Sequence, residues 1–422
     1  MLVKLLLIFY NSVWTLSILP FLPFLPLIRN GRLKKRLCPN LPDKPMIKSI
    51  WVHALSVGEV LSAIPLIRRI KQQYPQKDIV LTVTTTQGMK IARSEMAGEF
   101  TALMTMPLDF WWSVKKMIRF IRPQVFLFVE TDLWPCLIFS LMNKKVNTLL
   151  VNGRISPRTF RSYRRFPCFI RPILNTFKVC LMQSELDRER LLQIGMTSER
   201  VKTVGNVKFD RDWRPMDDGE YRHWLDILHL VPQDIVWVAG STHEGEEDII
   251  LDTYGKLRDQ QPRLKLIIAP RRIERSGDIR CAAKNKGFET ISRSRLEKDT
   301  SGYDVLILDT IGELGRVYGI GQISFVGGSL VPIGGHNLLE PASFGCPVLF
   351  GPYTHNFVLM SQLLLESGGG VRVKNGEELF TSVKTLLNHP DRSASMGKAA
   401  KAFVAMNKGA LERVMSYITD CI

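Results

Sequence analysis

No C-x-x-C pair occurs in this sequence, whose seven cysteines, at 38, 136, 168, 180, 281, 346 and 421, are scattered. That spacing excludes a disulfide framework and a cysteine zinc site, and it points to a reducing compartment. Neither G-x-G-x-x-G nor G-x-x-x-x-G-K-[ST] occurs, so no dinucleotide fold and no P-loop nucleotidase is signalled. Charge is missing altogether from residues 5–28, LLLIFYNSVWTLSILPFLPFLPLI, and acidic residues are missing from 153–178. No small-residue cleavage site follows the apolar stretch, so an uncleaved anchor is expected in place of a secretory signal.

Against those gaps stands a strong positive charge. The chain has 422 residues, a formal net charge of +17 and a pI near 9.6, with 45% hydrophobic and 23% charged residues. That composition is globular, and the length divides into two domains, each with its own core. The charge calls for an acidic partner: nucleic acid, anionic lipid or a phosphorylated substrate. Pro20, Pro23 and Pro26 break the second half of the apolar stretch, which predicts a short helix followed by an extended segment in the membrane interface. Arg29, Arg32, Lys34, Lys35 and Arg36 come next and hold that flank on the cytoplasmic side of a single N-terminal anchor.

From Ile50 strand and helix patterns alternate. IWVHAL, a helix over about Gly58 to Tyr74, and DIVLTVTTT make a β-α-β unit, and VFLFVE, NTLLVNG and KVCLMQS continue it. A polar stretch from Arg211 to Tyr221 reads as a linker. A second series then follows: IVWVAGST, a helix from about Glu244, LKLIIAPRR, GFETIS, DVLILDT, ISFVGG and CPVLFG. The fold class is therefore α/β, with two facing doubly wound parallel-sheet, Rossmann-like domains and a cleft between them. The expected limits are 1–36 for the anchor and basic flank, 47–210 for the first domain and 222–422 for the second, the last helix returning to the first domain.

In such sheets ligands collect beyond the carboxyl ends of the strands. The candidates there are His53 to Glu59, Thr84 to Gly88, Glu130 to Pro135 and Asn152 to Arg154 in the first domain, and Pro270-Arg271, Thr310 to Leu314 and Gly334 to Glu340 in the second. Glu59, at a helix start, is either a cap partner or a functional carboxylate. Glu130 ends an apolar strand, where a carboxylate costs desolvation unless something pairs it. In GGSLVPIGGHNLLEP, residues 327–341, a strand runs into a glycine turn, and a helix is expected from His336. Its N–H groups would face an anion, Gly334 and Gly335 would admit a phosphate to the backbone, and Glu340 can accept from ribose hydroxyls. A tight strand-to-helix connection is the plainer reading. Arg154, Arg158, Arg161, Arg164, Arg165 and Arg171 alternate with Phe160, Tyr163, Phe166 and Phe169. That mixture suits single-stranded nucleic acid, a phosphorylated lipid headgroup or a solvated helix face, and the apolar N-terminus favours lipid.

HALSVGE (53–59), VETDLWP (129–135), NGRIS (152–156), GNVKFD (205–210), GSTHEGEE (240–247), APRRIER (269–275), LDTIGEL (308–314) and GGHNLLEPA (334–342) together resemble the lipid A 3-deoxy-D-manno-octulosonic acid (Kdo) transferases, membrane-anchored glycosyltransferases of the GT-B fold. Arg272 and the GPYTHNF stretch at 351–357 depart from the family's commoner residues. The resemblance implies inverting transfer of Kdo from CMP-Kdo to lipid IVA in lipopolysaccharide synthesis at the bacterial inner membrane. By the same resemblance Glu59 is the general base, and Glu130 and Lys208 stabilise the transition state. CMP is held by Pro270, Arg271, Gly312, Glu313, Leu314, Asn337, Leu338, Leu339 and Glu340. No metal and no cofactor is expected, because helix dipole and arginine can meet the single phosphodiester charge. The alternatives are a GT-B enzyme using a UDP-sugar and a membrane-associated nucleic-acid-binding protein, for which the sequence offers no recognised module.

Overall fold

The computed structural model describes residues 2–18, 36, 41, 45–130, 133–211, 216–297 and 302–422. Two compact units divide the chain, one of residues 1–212 with 407–422, the other of 213–406.

The first unit is built on a parallel sheet of seven strands among the described residues: β1 (Ser49–Ala54), β2 (Ile79–Val83), β3 (Ala102–Thr105), β4 (Pro123–Val129), β5 (Asn147–Gly153), β6 (Val179–Met182) and β7 (Val201–Thr203), in the order β3-β2-β1-β4-β5-β6-β7. Successive side chains of a strand point to opposite faces. Ile50, Val52 and Ala54 therefore enter the core under the helices Val57–Gln73 and Ala410–Thr419, while Trp51 enters the core on the other face. The chain's last helix belongs to this unit: Val414 and Ile418 are fully buried, and the Asp210 carboxylate accepts the N–H groups of Gly409 at 2.6 Å and Leu411 at 2.7 Å.

The second unit repeats the plan with β8 (Ile235–Thr242), β9 (Leu264–Pro270), β10 (Thr290–Ser292), β11 (Val305–Ile307), β12 (Ile323–Val326), β13 (Val348–Phe350) and β14 (Gly370–Arg372), ordered β10-β11-β9-β8-β12-β13-β14. Trp237 and Ala239 enter one core, Val236 and Val238 the other. Both sheets reverse their winding next to the first strand, between β1 and β4 and between β8 and β12. Loops leaving in opposite directions there open a crevice at the strand ends.

Three expectations change. β3, β7 and β14 are additional strands, of 4, 3 and 3 residues, too short to show a period. The stretch read as a linker includes the start of a helix, Asp218–Ile227, because Asp217 caps it by accepting the N–H of Glu220 at 2.7 Å. The helix expected from Glu244 begins at Glu247. The expected anchor falls partly on residues 19–35, which lie outside the described residues, and no helix among the described residues is long and apolar enough to cross a membrane. What is described there is a helix, Leu2–Ile18, docked on the first unit: Tyr10 Oη donates to Asp109 Oδ2 at 3.0 Å, and the Trp14 ring meets Phe110 edge-on at 5.5 Å.

Ile418→Ala removes a fully buried side chain from the face the C-terminal helix covers. It should destabilise the first unit by about 2 to 5 kcal/mol in urea unfolding, whereas a change below about 1 kcal/mol would mean that the helix is dispensable to that core.

Candidate functional site

At the first crossover, β1 ends at Ala54, and Leu55 and Ser56 turn the chain into the helix Val57–Gln73. Glu59 lies in its first turn, 8% exposed, and its carboxylate accepts the N–H of Leu55 and, at 3.3 Å, the hydroxyl of Ser56. This reach-back is a variant of the capping box. The cap role is thus real, and it also fixes the carboxylate at the strand-end crevice. An ionised carboxylate offers about four lone-pair sites, so orientation by these donors is compatible with taking a proton.

On the far side of the crossover Glu130 follows β4 with φ +63°, and Asn152, near the end of β5, has φ +56°. Left-handed geometry at a non-glycine residue costs on the order of 1 to 3 kcal/mol and gathers at functional positions. The desolvation of Glu130 is met by partners: Lys208 Nζ donates to its Oε1 at 3.1 Å and Ser62 Oγ to the same oxygen at 3.3 Å. Asn152 Nδ2 donates to Ser62 Oγ at 3.3 Å, and Asn152 Oδ1 accepts the N–H of Val207 at 3.1 Å, which pins the segment carrying Lys208. A Cβ built on Gly58 would stand 4.0 Å from Lys208 Nζ. Ser62 follows Glu59 at i+3 on one helix face. Glu59, Glu130 and Lys208, 149 residues apart in the chain at the extremes, are thereby brought to one edge of one sheet. His53 stands apart from this polar group. Its Nδ1 lies 3.1 Å from the Thr82 carbonyl oxygen and so carries the proton, and burial pushes its pKa down to about 3, leaving a neutral core residue.

In the second unit Arg271 follows β9, its side chain exposed and its N–H bonded to the Thr242 carbonyl at 3.0 Å. Pro270 ends that strand. After β11, Gly312 takes φ +92°, and Glu313 accepts from Thr310 Oγ1 and, at 3.1 Å, from Arg293. Leu314 opens a short helix there. The helix expected from His336 starts instead at Leu339, whose N–H the Asn337 side chain accepts at 3.2 Å, and it ends at Phe344 before the left-handed Gly345. Asn337 Nδ2 points at Glu340 Oε1, 3.4 Å away, so the two polar groups form one pair, while Leu338 and Leu339 are buried.

The glycine turn also differs from its expected role. Its N–H groups are already engaged by the protein: those of Gly328, Ser329 and Leu330 go to the Glu246 carboxylate at 2.7 to 2.9 Å, and those of Gly334 and Gly335 go to the Gly328 carbonyl. Glu246 is fully buried and takes the His243 N–H as well, at 2.9 Å. The anion cradled by this turn is therefore an internal carboxylate. Gly334 answers a packing need, since a Cβ there would come within 2.5 Å of His355 Nε2. Glu246 was visible only as part of a motif, and nothing in its spacing announced four backbone donors.

Residues 29–211 match the family model described as 3-deoxy-D-manno-octulosonic-acid transferase (kdotransferase). The Haemophilus influenzae 3-deoxy-D-manno-octulosonic acid transferase is 32% identical over 421 residues, 97% of each chain. This chain belongs to the Kdo transferase family. The Aquifex aeolicus transferase is likewise 32% identical over 354 residues, 84% of this chain and 90% of that one. In architecture this Kdo transferase also resembles a glycosyltransferase from Rickettsia africae, with a TM-score of 0.58 at 12% identity over 90% of this chain and 99% of the other. At that identity the likeness concerns the fold alone, and it supports a GT-B-like, two-unit α/β fold.

Glu246→Gln in this Kdo transferase would set an amide against backbone N–H groups that now meet a carboxylate. A loss of at least about 2 kcal/mol is expected, read as a lowered melting temperature. A variant as stable as the parent would show that the turn keeps its shape without the buried charge.

Proposed function

We propose that the enzyme transfers Kdo from CMP-Kdo to the 6′-hydroxyl of lipid IVA, an acylated disaccharide bisphosphate, with inversion at the anomeric carbon, in lipopolysaccharide synthesis. The observation that carries this reading is the convergence of Glu59, Glu130 and Lys208 at the first crossover in a chain of this family. A sugar hydroxyl is a poor nucleophile, and Glu59 takes its proton as the new bond forms. Glu130 holds the Lys208 ammonium in place, and that charge neutralises the donor's carboxylate or phosphate. Arg271, the loop Gly312-Glu313-Leu314 and the segment Asn337 to Glu340 bind CMP, with the Asn337–Glu340 pair facing the ribose hydroxyls and Leu338 and Leu339 contributing backbone.

The acceptor is a lipid, and two features support a membrane surface as the place of reaction. The docked helix Leu2–Ile18 leaves Ile8, Phe9, Val13, Trp14 and Leu16 between 42% and 69% exposed. The helix Pro157–Arg165 buries none of its residues fully and turns Arg158, Arg161, Arg164 and Arg165 to solvent, with Arg164 stacked 5.5 Å from the Phe160 ring. Apolar groups beside arginines suit acyl chains beside phosphates. We place the enzyme at the cytoplasmic face of the bacterial inner membrane on this basis, with residues 1–36 as its attachment.

Purified enzyme incubated with lipid IVA in mixed micelles and either labelled CMP-Kdo or a panel of UDP-sugars tests the reading. Mass spectrometry should show lipid IVA gaining Kdo from CMP-Kdo and no sugar from any UDP donor. Transfer from a UDP-sugar alone would overturn it.

A further inference from the structure

At the second crossover, between β8 and β12, two imidazoles face each other. His243 directly follows β8, and His336 comes on the loop after β12. Their Nε2 atoms are 2.8 Å apart, and the rings are nearly parallel, at 4° with centroids 5.1 Å apart. Gly328 makes the space for them: a Cβ there would stand 3.0 Å from His336 Cδ2 and 3.3 Å from His243 Cδ2. At that separation one Nε2 carries a proton and the other accepts it. The donating ring then has a lone pair on Nδ1. A further proton can enter there without breaking the shared bond, which becomes charge-assisted. The pair is thus built to hold one extra proton.

Burial first, and the cationic neighbours after it, keep that place empty in the absence of ligand. Arg271, Arg272 and Arg275 act on His243 from the β9 loop, against Glu246 on its other side, and Arg271 and His243 act on His336. Arg275 is itself paired with Glu247 at 2.7 Å. Burial is the largest cause in both rings; it and the cationic surroundings push His336 down to about 3 and lower His243 as well. An anion beside the exposed Arg271 would cancel that repulsion.

Resting on the reading of the second unit as the donor site, we infer that the His243–His336 pair takes up one proton when the donor's phosphodiester binds and returns it to the phosphate as that group leaves. The balance closes. The bond from the anomeric carbon to the phosphate oxygen breaks with its electron pair on oxygen, the acceptor oxygen bonds to that carbon, and the acceptor's proton goes to Glu59. The leaving CMP receives the proton of the pair, and solvent resets both groups. Since binding raises the affinity of the pair for a proton, donor affinity increases as pH falls, by up to about tenfold per pH unit.

Titration calorimetry of the full chain with cytidine 5′-(methyl phosphate), a phosphodiester that does not itself titrate near neutrality, tests this in two buffers of different ionisation enthalpy between pH 6 and 8. The parent enzyme should bind with uptake approaching one proton at the acid end of the range. His243→Gln and His336→Gln should bind the ester without that uptake, and their kcat with CMP-Kdo should fall by about a hundredfold to ten-thousandfold. Thermal melting checks both variants, and either one alone removes the shared site. Binding to the parent with no proton uptake, or unchanged uptake in a folded variant, overturns the inference while leaving the donor site standing. Failure of the parent to bind the ester removes the donor-site reading and the inference with it.

Discussion

In a parallel sheet every strand ends at the same edge, so the loops after the strands gather there however far apart they lie in the chain. Two such sheets, each reversing direction beside its first strand, give this enzyme two crevices, and its polar chemistry is concentrated at them. At one lie Glu59, after β1, and the Glu130–Lys208 pair, from the segments after β4 and β7. At the other, His243 after β8 meets His336 after β12, with Arg271 from the end of β9 beside them. Beneath this edge the sheets pack mainly apolar side chains on both faces.

That edge is held rigid by internal hydrogen bonds. Glu130 and Asn152 are in left-handed conformations, and each is held there by the turn Val207–Asp210, through the Lys208 ammonium and the Val207 N–H, and by Ser62 of the helix Val57–Gln73. Glu246 does the corresponding work in the second unit, where one buried carboxylate accepts four backbone N–H groups and sets the turn that carries Gly328. A loop preorganised in this way loses little entropy when a ligand arrives.

The alternation of apolar runs with helical patterns made the α/β architecture legible, because fully buried parallel strands read as continuous hydrophobic stretches such as VFLFV and IVWVA. The strand-end rule then pointed to the neighbourhoods of Glu59, Glu130 and Arg271. Three short strands escaped, since segments such as Val201–Thr203 span too few residues to show a period. The glycine turn at 327–335 was legible as a turn but not as one already filled, because the residue that fills it, Glu246, comes from another strand's loop. The Nε2 contact of His243 and His336 escaped for the same reason: 93 residues separate them, and only the crossover between β8 and β12 brings them together.

On the proposed reading, acceptor activation depends on Glu59 at the first crossover and is separable from donor binding in the second unit. Glu59→Gln keeps the shape and one acceptor for the Leu55 N–H while removing the basic oxygen, so stability should fall by no more than about 1 kcal/mol. Single-turnover transfer, thermal melting and CMP binding measured on one preparation decide the matter. Folding and CMP affinity should stay intact, with transfer reduced by about a hundredfold to ten-thousandfold. Near-native transfer by the folded variant would rule out Glu59 as the base and leave it as a cap alone.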